Sequence, residues 1–320
     1  MSAGMASTLS NIFKIFMIVT GGEFIIGILG NGFIGLTNCI AWIRNRKLCL
    51  VDFILTSLAF ARISKLWLTI VNLVLVLVYQ EIPETMKTNN ILTSIWILVN
   101  HLTTLLAACL AVFYFLKISS FSHPLFLWLK RRINKVIYMV LLSSLPFLLI
   151  NFPLPVNIDV VWYHVQKKYE RNMTGLVNVS KSKHLRVMVV FIIGSFPPFS
   201  LSLISFFLLL FSLWRHTKHN LLNFKDSRDP SMEAHVRAMK TVFLFLVLFA
   251  VYQLSIFMTF WGYFSLQNKL VVMFAYMIEI LYPSGHSYVV IFGNSQMRKA
   301  FLGFLCHLKC DLKGKALSAA

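Results

Sequence analysis

The chain has 320 residues, 58% hydrophobic and only 13% charged, with a mean hydropathy of +0.75. A soluble domain carries about 25% charged residues, so most of this surface cannot face water, and no polar linker splits the chain into separate domains. The net charge of +19 would suggest nucleic acid in a soluble protein, but here the basic residues sit in short loops between apolar runs; that excludes nucleic acid as a partner and makes the charge a topology signal.

Residues 1–10 are short and polar, without the basic start and small-residue cleavage site of a signal peptide. The first helix is therefore expected to act as its own uncleaved insertion signal. A spanning helix needs about 20 mainly apolar residues, and seven stretches qualify: 16–43, 51–79, 91–116, 136–156, 187–214, 241–264 and 270–293. The predicted fold class is an all-α membrane protein, a seven-transmembrane helix bundle over residues 1–293 with a basic tail at 294–320. Charges inside the spans are confined to Glu23 in the first, Asp52, Arg62 and Lys65 in the second, and Glu279 in the seventh.

The positive-inside rule orients the bundle. With the amino terminus outside, the inner segments hold three Lys or Arg residues at 44–47, five at 117–135, six at 215–240 and five after Gly293. The outer segments hold nine, six of them at 167–186. That basic outer loop also carries both N-x-S/T sequons, at Asn172 and Asn178, and glycosylation requires the lumenal side. Both signals place the amino terminus outside and the carboxyl terminus in the cytosol. None of the five cysteines falls in an outer loop, so no extracellular disulfide framework is expected. Cys306 and Cys310, beside the last helix, read as plain thiols or as palmitate carriers.

Charged side chains within hydrocarbon face the bundle interior or water. Arg62 sits about eleven residues into the second span, near mid-depth at roughly 1.5 Å per residue. Asn31 on the first helix and Glu279 on the seventh are its expected neighbours, either as a static clamp or as one that rearranges on activation. Lys65, on a similar face, is expected to snorkel. On the third helix Trp96 and Asn100 are four apart and project from one face. A large ring beside an amide fits a small-molecule pocket; it fits ordinary helix packing too, which the spacing alone favours. Tyr276 lies three residues from Glu279, and Tyr252 and Phe257 lie on the sixth helix.

There is no phosphate-binding glycine loop, no zinc-spaced His and Cys set and no Ser-His-Asp arrangement. Neither an enzyme nor a cofactor nor a metal is expected. A transporter or channel with Arg62, Lys65 and Glu279 lining a polar path is the rival class, but the chain shows neither inverted halves nor a filter sequence.

Seven spans suggest a G protein-coupled receptor, yet the rhodopsin-like signatures are replaced. The third helix ends Phe113-Tyr114-Phe115-Leu116-Lys117 instead of carrying an Asp-Arg-Tyr triplet, and the seventh reads Tyr282-Pro283-Ser284-Gly285-His286-Ser287 instead of Asn-Pro-x-x-Tyr. The segments CLAVFYFLKISSFSHPLFLWLKRRI (109–133), DFILTSLAFARI (52–63), PFSLSLISFFLLLFSLWRH (198–216), SRDPSMEAHVRAMK (227–240) and YPSGHSYVVIFGNS (282–295) resemble, in order, segments of the type 2 taste receptors, the bitter taste receptor family. The resemblance covers essentially the whole chain. It implies a multi-pass plasma-membrane receptor that senses small bitter compounds and activates a gustducin-type heterotrimeric G protein; a chemosensory receptor for other ligands, such as pheromones, is the nearer alternative. By similarity Trp96 and Asn100 match the family's ligand contacts on the third helix, which tips their reading to a pocket. Tyr252 resembles the switch tyrosine of the sixth, and Tyr276 and Phe257 join the expected ligand contacts. Lys130, Arg131, Arg132, His216 and His235 form the expected G-protein face. Membrane lipids and receptor oligomers complete the expected partners. The chain departs from the family at Ala108-Cys109-Leu110, at Gln296-Met297-Arg298-Lys299 and at Tyr276, where some members carry an acidic ligand contact.

Overall fold

The computed structural model describes residues 3–46, 49–78, 87–147, 173–223, 230–262 and 269–318. Its helices are α1 (Ala3–Asn45), α2 (Leu50–Val78), α3 (Lys87–Ile118), α4 (Pro124–Arg131), α5 (Ile133–Leu142), α6 (Met173–Asn223), α7 (Pro230–Trp261), α8 (Lys269–Gly293) and α9 (Ser295–Ser318). Within them Asn11–Arg44, Leu50–Val74, Ser94–Ile118, Phe191–Arg215 and Met239–Thr259 are long and apolar enough to cross a membrane by length and composition. The apolar helical stretch Ile133–Phe147 is shorter, and residues 148–156 of the expected fourth span lie outside the described residues. The 25-residue α8 carries Glu279, Ser284, His286 and Ser287 buried along its middle.

The helices extend past the apolar runs because nothing in the flanks stops them. α6 starts at Met173, well before the expected 187, since its polar flank is free of helix breakers apart from Gly175. Local chemistry closes the ends that do stop. Arg46 takes a left-handed φ of 49° just after α1, a conformation that caps a helix end. The His123 side chain accepts from the Leu125 N–H at 3.3 Å ahead of Pro124, which opens α4. The Asn294 side chain accepts from the Gln296 and Met297 N–H groups at 3.0 and 3.3 Å, so α9 begins afresh one residue after α8.

Around the bundle α1 neighbours α2, α2 neighbours α3, α3 neighbours α6, and the ring closes through α7 and α8 back to α1; α5 packs on α3. The third helix is the most enclosed of the apolar spans and the first the least. Small residues let neighbours approach the α3 axis: Ala108, Cys109 and Ala111 are fully buried, the last two within a cluster that includes Phe113, Phe206, Leu209 and Phe245. Meanwhile Ile18, Ile43, Ile193, Phe207, Leu254 and Phe274 are exposed. Apolar groups outside and polar groups inside is the arrangement a lipid solvent selects.

Where α1 meets α8 the backbones run close together. A Cβ at Gly27 would collide with Ser284 Oγ and come within 2.8 Å of Leu66, and one at Gly30 would lie 3.0 Å from the Tyr288 ring. Small residues at such a seam allow packing and interhelical hydrogen bonds. Asn31 Nδ2 donates to the Gly27 and Pro283 carbonyls at 2.8 and 2.9 Å, Ser284 Oγ donates to the Glu23 carbonyl at 2.9 Å, and Tyr288 OH to the Ile26 carbonyl at 3.2 Å.

Candidate functional site

Four helices converge on one buried cluster in the half of the bundle away from α4. Lys65, on α2, is 1% exposed. Its ammonium donates to Asn100 Oδ1 on α3, lies 3.5 Å from Glu279 Oε1 on α8, and stands over the rings of Tyr252 on α7 and Trp96 on α3 at 4.1 and 5.5 Å from their centroids. The Tyr252 hydroxyl donates to the same Asn100 oxygen. An ammonium has no acceptor to offer, so the amide oxygen must face Lys65, and that fixes the orientation of Asn100. Thr69 Oγ1 donates to Glu279 Oε1 at 3.5 Å.

A second cation lies one turn along α2. Arg62, also 1% exposed, donates from Nη2 to the Tyr282 hydroxyl at 3.5 Å, with its guanidinium carbon 5.4 Å from that ring's centroid. Tyr282 stacks on Tyr252 at 4.4 Å, joining the two polar groups through aromatic faces. His286 continues the path toward the α4 end, 4.2 Å from Phe245 and 5.5 Å from Tyr282 between ring centroids. Trp96 packs against Phe191 of α6 at 5.4 Å.

This arrangement revises the expected partners. Arg62 meets Tyr282, not Asn31 or Glu279: Asn31 spends its amide on the α1–α8 seam, and Glu279 sits one turn further along, where Lys65 reaches it. Nor does Lys65 snorkel, because aromatic faces, an amide oxygen and a carboxylate replace water around its ammonium. Trp96, Asn100 and Tyr252 come together. Tyr276 packs instead beside Phe16, Leu73 and Met273, and Phe257 is exposed and stacks on Trp261. Lys65 and Tyr282 are the centre's members that sequence reasoning left out of the candidate ligand contacts and polar network. Their signal was present: each sits three residues from a charged residue already singled out, Lys65 from Arg62 and Tyr282 from Glu279.

At the opposite end, Arg131 at the close of α4 and Arg132 just after it are exposed, while Phe126 anchors α4 between Phe115 and Phe121. Lys130 is committed to the fold, donating to the Ser119 carbonyl at 2.8 Å. Asn172 lies outside the described residues, as do the side chains of Asn178, His216, His235 and Cys310.

Helices that bury charge, present apolar side chains outward and gather round an aromatic and ionic centre make this a helical membrane protein with an internal polar site. The chain matches the taste receptor protein (TAS2R) family over residues 5–309. It is 42% identical over 296 residues to taste receptor type 2 member 7 of Macaca mulatta, covering 92% of this chain and 93% of that one. To taste receptor type 2 member 8 of Gorilla gorilla gorilla it is 41% identical over 294 residues, 91% of this chain and 95% of that one. The chain belongs to the type 2 taste receptor family, a family of seven-transmembrane receptors for small molecules, not of enzymes.

Proposed function

We propose that the chain is a plasma-membrane bitter receptor whose agonists bind among Trp96, Asn100 and Tyr252 and which activates a gustducin-type heterotrimeric G protein. Residues 1–293 form the receptor domain, with the amino terminus outside, and residues 294–320 a basic cytosolic tail. The observation that carries this reading is the family match over nearly the whole chain, and the meeting of Trp96, Asn100 and Tyr252 at one centre supports the location. An agonist shifts a two-state bundle only by binding the active arrangement more tightly. The centre suits that role because it links α2, α3, α7 and α8: a ligand that competes for Asn100 or for the ring faces weakens ties between helices that otherwise hold one another. The end bearing α4 then opens to the G protein, with Arg131, Arg132, His216 and His235 as its basic face.

The test is calcium release in cells that co-express a permissive G protein, screened against a broad panel of bitter compounds. Receptor displayed at the cell surface and silent to the whole panel would refute agonist sensing. Trp96→Ala and Asn100→Ala should reduce potency by more than they reduce surface display; equal losses would mean that these residues only pack.

A further inference from the structure

We propose that Lys65 is the anchor for an anion, so that the centre takes small apolar compounds bearing a carboxylate or a similar acidic group. The inference deepens the bitter-receptor reading and rests on it for the location of the agonist.

The charges do not balance. Among the described residues the fully buried ionic side chains are Arg62, Lys65 and Glu279, two cations against one carboxylate. Among the described residues Arg62 has no carboxylate partner: it donates to a phenol hydroxyl and lies by that ring, and its Nε has no hydrogen-bond partner. In a low-dielectric interior an uncompensated positive charge favours whatever anion can reach it.

Unused hydrogen-bonding capacity has the same sense. Asn100 turns its oxygen to Lys65 and Tyr252, which leaves its buried Nδ2 amide hydrogens unpartnered beside the ammonium. Ammonium and amide together present donors to a single incoming acceptor, and such charge-assisted bonds are the strong ones.

Glu279 is a replaceable counter-ion. It reaches Lys65 with one oxygen at 3.5 Å, its other contact to Thr69 is also 3.5 Å, and Oε2 has no partner. A ligand carboxylate held by both Lys65 and Asn100 would outcompete that single long contact. A cationic ligand would meet the opposite situation, because the faces of Trp96 and Tyr252 already hold the receptor's own ammonium.

The experiment uses the full-length receptor and three compounds on one scaffold: biphenyl-4-carboxylate, its methyl ester and the corresponding benzylic amine. In the calcium assay the carboxylate should be about tenfold or more as potent as the ester, the scale of a charge-assisted hydrogen bond, and the amine weakest. Lys65→Met should bring the carboxylate-to-ester potency ratio down to about one, whatever it does to the potency of both, and Glu279→Gln, which frees Lys65, should raise that ratio. Equal potency of carboxylate and ester in the unmodified receptor would overturn the inference yet leave the receptor reading standing. Thermal unfolding of purified receptor gives a readout without a G protein: the carboxylate should raise the midpoint of the unmodified protein and of Glu279→Gln, but not of Lys65→Met. A midpoint unmoved by millimolar carboxylate in the unmodified protein would overturn the inference. A raised midpoint in a receptor silent to every bitter compound would support the anion site and refute bitter sensing.

Discussion

Replacing Glu279 by Leu leaves the Lys65 ammonium buried with an amide oxygen and two aromatic faces but no counter-ion. At 3.5 Å and an effective dielectric constant of about 20, the lost attraction is about 5 kcal/mol. Both partners are 1% exposed, so solvent screens little of it. Tyr252, with its ring centroid 4.1 Å from the ammonium, and Asn100 recover part, and the expected loss is about 3 kcal/mol, at the lower end of what breaking a buried pair costs. For a chain of this size that corresponds to a fall of roughly 4–5 °C in unfolding midpoint. Lys65→Met combined with Glu279→Leu removes both charges and should return to within about 1 kcal/mol of the unmodified protein, since apolar replacement of a buried pair is often neutral. The assay is a four-member thermal unfolding cycle on purified receptor. Additivity of the two single losses within about 0.5 kcal/mol would refute the pairing and with it the picture of Lys65 as a buried, compensated cation.

Three further outcomes are expected. Gly30→Val forces a branched side chain against Ser287 and Tyr288 and should destabilise by about 1–3 kcal/mol, read as lost surface display and a lower midpoint, whereas Gly32→Ala, with nothing within 4 Å of a new Cβ, should leave both unchanged or improved. Asn31→Leu deletes the hydrogen bond to the Pro283 carbonyl and should cost about 1–2 kcal/mol in the same melt. Tyr252→Phe keeps the stack on Tyr282 but removes the hydroxyl that donates to Asn100; a loss of about 1 kcal/mol is expected, and a protein as stable as the unmodified one would show that the hydroxyl contributes nothing.

The bundle itself was legible because its evidence is coarse: long apolar runs, charges confined to three of them, basic loops between. The centre was legible only in part. Spacing on a helix tells which residues share a face, as Trp96 and Asn100 do, but not how that face is turned toward its neighbours. Arg62 and Glu279 were expected to meet because both are charged and at similar depth. Their actual partners, Tyr282 and Lys65, depend on the rotation of α2 against α8, which the tight α1–α8 seam at Gly27 and Gly30 helps to set. The same limit hid the burial of Lys65: its stem is long enough to reach water from many rotations, and only the ring placement around it decides. Phe257 and Tyr276 carry suitable chemistry, and only the azimuth of their helices directs them elsewhere.

Pro283 has no N–H to give the Glu279 carbonyl, which makes that turn the weakest point of α8. Asn31 donates to the Pro283 carbonyl and the Ser284 hydroxyl donates to the Glu23 carbonyl, so the residues at the end of that turn are held against α1. The first helix thus braces α8 at its weakest turn, and a hinge there would have to break both of these bonds before it could open.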